Sequence, residues 1–352
     1  MFYNPPLYFK TMKRFIIVSI SILFLSACKK KDTEIAIYEE TWGVTKPTHF
    51  PESVYDFENN TQTQSRFELG RFLFYDPILS LDSSVSCSSC HAQEHAFSDH
   101  NIKFSTGVNG NTGHRNAPSL SNLIWYSDFM WDGGVNHIEV QPLVPLTHHL
   151  EMGETIPNIL LKLNNSAFYK TKFKEAYDVH EISDQKLLQA ITQFVGMLTS
   201  YRTKYDDYIN GQGSYTQKEK NGLSLFRANC VYCHREPLFT DFSFKNVGLD
   251  SLNEDIGREL ITQNSADKGK FKVPSLRNVA LTYPYMHDGR FFTLNDLLDN
   301  HTNNAVNHFL TDQYILGRPH FTNSEKEDII AFLKTLSDYY LIGDPALSPP
   351  NR

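Results

Sequence analysis

The sequence contains two short stretches in which cysteines and a histidine have the same spacing: CSSCH at Cys87–His91 and CVYCH at Cys230–His234. Each has the spacing C-x-x-C-H, in which two thiols can add to the vinyl groups of a porphyrin while the adjacent histidine binds the iron. The chain contains 5 cysteines in 352 residues, so two such matches are not expected by chance. The sequence therefore predicts two covalently bound haem c groups, with the attachment residues Cys87, Cys90 and His91 for the first and Cys230, Cys233 and His234 for the second.

Two other uses of such cysteine pairs remain open at this stage. Separated C-x-x-C elements can form a structural zinc site, and a single pair can act as a thioredoxin-like redox centre. Neither use explains why a histidine directly follows each pair, at His91 and at His234. Haem attachment is therefore the preferred interpretation.

The beginning of the chain has the pattern of an export signal. A basic pair precedes the apolar run Phe15–Leu25, which is too short to span a bilayer. The following LSAC resembles a bacterial lipobox, although a plain signal peptide with an incidental cysteine is the alternative. We expect a signal peptide over residues 1–27, lipidation of Cys28, a polar tether over residues 28–50, and contact with the membrane only through the lipid anchor. This predicts a periplasmic lipoprotein of the outer membrane.

The net charge and the spacing of apolar residues limit the possible partners and the fold class of the chain. A formal net charge of −7 offers no basic surface for a phosphate backbone, which argues against nucleic-acid binding. Helical apolar spacing precedes both haem motifs and strand-like alternation is scarce, so the fold should be mainly α, with long loops around the haems. We predict two cytochrome c-like haem domains, at residues 51–205 and 206–352. Ser324, with Glu327 three residues later, predicts the start of a C-terminal helix.

Several further stretches resemble the bacterial di-haem cytochrome c peroxidase and MauG superfamily. They follow the family's order across nearly the whole mature chain: ELGRFLFYDPILS (Glu68–Ser80), GHRNAPSL (Gly113–Leu120), FMWDGG (Phe129–Gly134), Q-x-x-x-P-x-x-x-x-x-E-M-G (Gln141–Gly153) and FKVPSLRNVALTYPYMHDGRFFTL (Phe271–Leu294). The resemblance implies contact between the haems at the domain interface. It also implies that hydrogen peroxide reacts at the N-terminal haem, while the C-terminal haem receives electrons from a small cytochrome or cupredoxin.

The resemblance assigns catalytic roles to three side chains. Glu151 matches the acid/base residue, and heterolytic O–O cleavage needs such a group to move a proton between the two oxygens. Gln141 belongs to the same motif. Trp131 matches the tryptophan that carries electrons from one haem to the other.

A calcium site is a further implication of the resemblance. Asn116 falls where the family supplies a side-chain oxygen to the ion, and the backbone carbonyls of Lys272 and Pro274 fall near further ligands. Calcium prefers oxygen ligands of this kind. A structural hydrogen bond is the alternative role of Asn116.

The sequence departs from the family pattern at two positions. Val108 stands where many bacterial peroxidases have a histidine that occupies the oxidised peroxidatic haem. Valine cannot bind iron, so this haem is expected to be open without prior reduction, as in the MauG-type branch. His301 stands where the family has methionine or tyrosine as the sixth ligand of the C-terminal haem. A bis-histidine haem normally has a lower potential than a His/Met haem.

These observations predict a di-haem peroxidase that reduces hydrogen peroxide to water. The first alternative is a MauG-like oxidase that acts on a protein or organic substrate, which Val108 and His301 favour. The second is an electron-transfer cytochrome without chemistry of its own, which Glu151 argues against. The sequence leaves the oligomeric state open, with a homodimer as one option.

Overall fold

Helices carry most of the regular structure, as the sequence predicts, and within the described residues the only sheet is one pair of two-residue strands. The computed structural model describes residues 42–249 and 255–351. The predicted signal peptide, Cys28 and most of the predicted tether lie outside these ranges. Within them, no helix is both long and apolar enough to cross a membrane.

The regular elements are short and are separated by long loops. The helices are α1 (Gln64–Tyr75), α2 (Leu143–Thr147), α3 (Ile156–Asn165), α4 (Ala167–Tyr177), α5 (Asp184–Val195), α6 (Lys204–Ile209), α7 (Gln217–Asn229), α8 (Glu259–Thr262), α9 (Leu294–Asp299), α10 (Gln313–Leu316), α11 (Asn323–Lys334) and α12 (Tyr339–Gly343). Strands β1 (Phe244–Lys245) and β2 (Phe271–Lys272) pair antiparallel. A π turn spans Asn300–Asn304.

The predicted start of α11 is wrong by two residues. Thr322 caps the helix, because its hydroxyl accepts from the amide of Glu325 and the Glu325 carboxylate accepts from the Thr322 amide in return. This is the reciprocal arrangement of a capping box. Ser324 lies inside the first turn, and Glu327 instead pairs with Lys218 over 2.8 Å. Two overlapping S/T-x-x-E patterns compete here, and the first one forms the box.

Two hydrophobic cores form around two pairs of helices. α1 packs against α5 in the first core, whose residues run from Phe67 to Leu198, with Leu341 and Leu347 added from the C-terminal segment. α7 packs against α11 in the second core, whose residues run from Tyr205 to Leu336. The first core also takes residues from the C-terminal segment, so the division into domains at residues 51–205 and 206–352 stays a prediction.

A glycine allows each helix pair to approach closely. A Cβ atom at Gly70 of α1 would lie 2.1 Å from the carbonyl oxygen of Ala190, and one at Gly222 of α7 would lie 1.9 Å from that of Asp328. No side chain fits at either crossing point. Because α1 and α7 each precede a haem motif, the two helix pairs position these motifs in the same way.

The backbone repeats the same features after each haem motif. Non-glycine residues rarely adopt positive φ angles, yet they do so at corresponding places in both halves. The pairs are Phe97 and Phe239, Asn122 and Asn278, and Met130 and Met286. The structure thus contains an internal repeat that extends well beyond the two C-x-x-C-H motifs.

Candidate di-haem active site

The first attachment motif lies in a short helical turn after α1. Cys87 and Cys90 carry free thiols, and burial raises the pKa of the Cys87 thiol to about 12. His91 Nδ1 lies 2.9 Å from the carbonyl oxygen of Phe97. Burial lowers the pKa of His91, so the imidazole is neutral, and the bond to Phe97 leaves Nε2 as the nitrogen that could bind an iron.

The second attachment motif begins at the C-terminal end of α7. The amide of Cys230 donates to the carbonyl oxygen of Phe226 over 2.7 Å, and the thiols of Cys230 and Cys233 are free. His234 Nδ1 lies 3.1 Å from the carbonyl oxygen of Phe239, and burial lowers the pKa of His234 to about 4. Each motif therefore presents two free thiols and one oriented, neutral imidazole, which is the donor set that haem c requires.

Glu151 lies in the loop between α2 and α3, close to the first motif. Burial raises the pKa of the Cys90 thiol to about 11, and the carboxylates of Asp99 and Glu151 add to this effect. Burial also raises the pKa of Glu151 above its ordinary value. The structure thus brings the predicted acid/base residue to the predicted peroxidatic site, where burial favours the protonated form of its carboxyl group.

Val108 packs directly against the Glu151 loop. Its amide donates to the carbonyl oxygen of Glu151 over 2.8 Å, and its side chain is buried. Gly153 adopts a φ of +61°, and a Cβ atom there would lie 2.9 Å from Val108 Cγ2. This position therefore holds the Glu151 loop in place and offers no ligand to an iron.

One histidine, His148, lies beside Glu151, and two more lie near His148. His148 Nδ1 lies 3.6 Å from a Glu151 carboxylate oxygen and has no hydrogen-bond partner within the described part of the chain. Burial lowers the pKa of His148, and the neighbouring His149 and His114 lower it further. The sequence shows that His148 and His149 flank Glu151, but only the fold adds His114 to this group.

Gln141 and Trp131 belong to a different part of the site. Gln141 Nε2 lies 3.8 Å from the sulfur of Met130, and no hydrogen bond to Glu151 is found in the residues that the structure covers. Trp131 Nε1 donates to the carbonyl oxygen of Asn116 over 2.8 Å, and its ring centroid lies 6.5 Å from that of His287. Gln141 therefore supports the loop that carries Trp131.

The predicted calcium ligands make other contacts. The Asn116 side-chain amide donates to the carbonyl oxygens of Ile102 and Lys103, both over 3.3 Å. The Pro274 carbonyl faces His234. The amide of Lys272 donates to the Trp131 carbonyl oxygen over 2.8 Å, and burial lowers the pKa of the Lys272 side chain to about 8. The calcium site stays a prediction.

His301 lies in the π turn and faces the second haem motif. Its Nδ1 is 3.2 Å from the carbonyl oxygen of Leu297. Burial lowers the pKa of His301 to about 3, with further contributions from Arg318 and His234. The fold therefore places a second neutral imidazole near His234, and its role as the sixth ligand stays a prediction.

Comparisons with known proteins identify the family. Residues 64–214 match the family described as "Di-haem cytochrome c peroxidase". A cytochrome c551 peroxidase from Nitrosomonas europaea is 33% identical, over 81% of this chain and 84% of its own length. The chain belongs to the di-haem cytochrome c peroxidase and MauG family. A methylamine utilization protein MauG from Methylorubrum extorquens is 32% identical, over 81% of this chain and 82% of its own.

Solved structures of the family show the same fold. A MauG-like protein associated with microbial copper homeostasis is 33% identical and superposes with a TM-score of 0.82, over 88% of this chain and all (100%) of its own. The di-haem peroxidase BthA from Burkholderia thailandensis is 22% identical and has a TM-score of 0.70, over 82% of this chain and 91% of its own. As a member of this family the protein is an oxidoreductase, and the family implies haem c as its cofactor.

Proposed function

We propose that the protein reduces hydrogen peroxide to two water molecules, with two protons and two electrons that a small redox protein supplies one at a time. The placement of Glu151 beside Cys90, in a loop that Val108 closes without offering a ligand, is the observation that carries this proposal. When bound, the haem held by His91 supplies the iron at which the O–O bond is split.

The protein's own groups handle the protons. Glu151 takes a proton from one peroxide oxygen and delivers it to the other, so that the departing oxygen leaves as water. The raised pKa of Glu151 suits both halves of this transfer. His148, at 3.6 Å, returns protons to Glu151 from solvent, because its imidazole is neutral and half-exposed.

The second site receives the electrons. His234 and His301 would hold the iron of a haem attached to Cys230 and Cys233, and this haem would supply the centre that accepts electrons from the donor. Trp131 lies between the two halves of the internal repeat, and its indole hydrogen bond to Asn116 keeps it rigid. We further propose two haem domains that meet at this interface, a calcium ion near Asn116, and a lipid anchor in the periplasm.

The proposal is tested by the electron count of the reaction. The purified protein, loaded with both haems, is mixed with reduced cytochrome c and limiting hydrogen peroxide. Two cytochromes oxidised for each peroxide consumed support the proposal. Consumption of peroxide without oxidation of the cytochrome would contradict it.

A MauG-like oxidase remains the second candidate. Val108 and His301 both depart from the peroxidase pattern, and the MauG-like protein of known structure is as similar in sequence, at 33% identity, as the cytochrome c551 peroxidase from Nitrosomonas europaea. This candidate predicts that peroxide oxidises an organic or protein substrate while reduced cytochrome c remains unchanged. The same electron count therefore distinguishes the two functions.

A further inference from the structure

Two pairs of tyrosines stack face to face in the described part of the chain. Tyr208 and Tyr215 form the first pair, with ring centroids 4.0 Å apart. Tyr232 and Tyr314 form the second pair, with ring centroids 3.3 Å apart and ring planes inclined by 28°. The hydroxyl groups of the second pair also interact, so the ring carbons beside them face each other. These carbons, at which oxidised phenols couple, thus lie near the separation of about 3–3.5 Å that suits a reaction.

Tyr232 lies inside the second haem motif. Its neighbours Cys230 and Cys233 are the two predicted attachment residues, so a haem bound there is linked to the backbone of Tyr232 by covalent bonds. The first motif has a serine, Ser89, at the corresponding position. The second motif is therefore the one that carries an oxidisable ring.

The fold holds Tyr314 in place through contacts that do not involve Tyr232. The amide of Tyr314 donates to the carboxylate of Asp312, over 2.9 Å, at the start of α10. The same carboxylate pairs with Lys245 over 3.0 Å. The amide of Asp312 donates to the carbonyl oxygen of Asn246 over 2.9 Å. Strand β1, which ends at Lys245, thus anchors α10 so that Tyr314 covers the ring in the haem motif.

The two stacked pairs differ in their access to solvent. Tyr215 is buried, and its hydroxyl lies 2.8 Å from that of Thr335. Tyr232 and Tyr314 are exposed by 42% and 39%. A phenol that gives up an electron also gives up a proton, which water can accept from an exposed ring. Exposed rings also have room to turn when a bond forms between them, so the second pair is the reactive one.

We propose that Tyr232 and Tyr314 form a site of oxidative cross-linking, at which the two rings join through a carbon–carbon bond when peroxide is present and a donor is absent. The two carbons that form the bond each lose one hydrogen, so the pair releases two electrons and two protons. One hydrogen peroxide takes up two electrons and two protons when it becomes two water molecules, and the reaction balances. The inference rests on the proposed function, because the haems must first react with peroxide.

A donor and the tyrosine pair compete for the same oxidising equivalents. A reduced cytochrome returns the haems to their resting state before the rings are oxidised. Without it, the stacked rings react as parts of one molecule, and such an arrangement can be equivalent to a very high local concentration of the second reactant. The product joins the second haem motif to α10 by a covalent bond.

The test treats the holoprotein with hydrogen peroxide in the absence of a donor, and then uses trypsin and mass spectrometry. The cross-link joins the haem-bearing peptide 228–235 to peptide 291–326, with a summed mass that is lower by two hydrogen atoms. Tyr232→Phe and Tyr314→Phe should each lose this product, because phenylalanine has no phenol to oxidise. Tyr208→Phe is the matched control, since it removes one ring of the other stacked pair, and it should keep the product. Excess reduced cytochrome c should suppress the product in the wild type.

The inference is wrong if the wild type forms no cross-linked peptide although its haem absorption responds to peroxide, or if Tyr314→Phe forms as much of it as the wild type. It is also wrong if the yield per protein rises in proportion to the protein concentration, because the bond then forms between molecules. Haem absorption that does not respond to peroxide would overturn the proposed function as well, so the two failures are distinguishable. Haem content per protein confirms that each variant is assembled.

Discussion

The amide of Lys272 donates a hydrogen bond to the carbonyl oxygen of Trp131 over 2.8 Å. Its counterpart in the internal repeat is the bond from the amide of Asn116 to the carbonyl oxygen of His287, over 2.7 Å. Each bond runs from the backbone of one half of the repeat to a loop of the other half. The loop that carries Trp131 is therefore held by the second half, and the loop that carries His287 by the first. Trp131 is therefore fixed at the junction by its backbone as well as by its indole, which donates to Asn116.

This position leads to a prediction for Trp131→Phe. The variant should bind both haems but lower kcat with cytochrome c as donor by about tenfold or more, which is about 1.4 kcal/mol in the barrier. Trp125→Phe is the matched control, because Trp125 likewise donates its indole N–H to a backbone carbonyl, that of Pro51, over 3.0 Å. Both variants lose one hydrogen bond, about 1 kcal/mol of stability. Equal kcat values in the two variants would remove Trp131 from the electron path.

The variant Val108→His tests whether the valine at position 108, where many bacterial peroxidases have a histidine, leaves the first haem open. A histidine there restores the side chain that many relatives are expected to use as a ligand, so the oxidised protein should become six-coordinate low-spin at the haem held by His91. Its reaction with peroxide should then require prior one-electron reduction. Val108→Ile is the control, since it keeps the apolar contact with Gly153. An unchanged absorption spectrum in Val108→His would place Val108 away from the iron.

The buried ion pair between Arg277 and Asp206 supports the second haem site. The two side chains meet over 2.8 Å, and Arg277 Nε also donates to the carbonyl oxygen of Pro237, in the loop after His234. Arg277→Met should destabilise the protein by about 3–5 kcal/mol, because it breaks a buried ion pair and leaves the Asp206 carboxylate, among the described residues, with only Thr203 and His49 as partners. Chemical denaturation of the holoprotein measures the loss. A change below about 1 kcal/mol would mean that the pair is not needed.

The same pair gives a pH dependence of stability. Burial alone would raise the pKa of Asp206, but the Arg277 guanidinium overrides this and holds it below the ordinary 3.8. A depressed pKa in the folded state means that the stabilisation is present above pH 3.8 and is lost as the pH falls through lower values. Unfolding free energies measured from about pH 6 down to about pH 2 should show this loss below pH 3.8 in the wild type, and less of it in Arg277→Met.

The sequence predicts which residues carry the chemistry of this protein, but it does not predict which ionisable groups the fold brings close to them. The cysteine and histidine spacing identifies both haem sites, and the motif around Glu151 identifies a carboxylate that the fold does bring to Cys90. The position of His114 could not be found in this way. His114 is distant from His148 in the sequence, and only the fold brings the two imidazoles close enough to interact.

Backbone interactions were also hidden from the sequence. The two hydrogen bonds between the halves, from Asn116 to His287 and from Lys272 to Trp131, join main-chain atoms. Every residue carries these atoms whatever its side chain, so the sequence does not mark them. The resemblance instead suggests Asn116 and Lys272 as calcium ligands, and that assignment stays a prediction. The start of α11 differs from the prediction for a related reason. Thr322 and Ser324 are each followed by a glutamate three residues later, and the fold selects Thr322 as the cap.

The raised pKa of Glu151 predicts the pH dependence of the reaction. Burial disfavours the charged carboxylate, so the group that must accept the peroxide proton becomes available only above the ordinary pKa of 4.5. The ratio kcat/KM for peroxide should rise with pH through a single ionisation above 4.5 and then reach a plateau. In Glu151→Gln this ionisation should be absent from the residual activity. A wild-type profile that is flat between pH 4.5 and 7 would contradict the assignment of Glu151 as the base.

The most direct test of the account is stopped-flow mixing of the fully oxidised protein with hydrogen peroxide, with reduced cytochrome c as a reporter. We predict a fast absorption change without prior reduction, followed by oxidation of the reporter. In Glu151→Gln this reaction should be slower by about 10²–10⁴-fold with both haems in place. Glu94→Gln, which alters an exposed carboxylate three residues after His91, should react like the wild type. Equal rates in Glu151→Gln and the wild type would contradict the central claim that Glu151 moves the proton that splits peroxide.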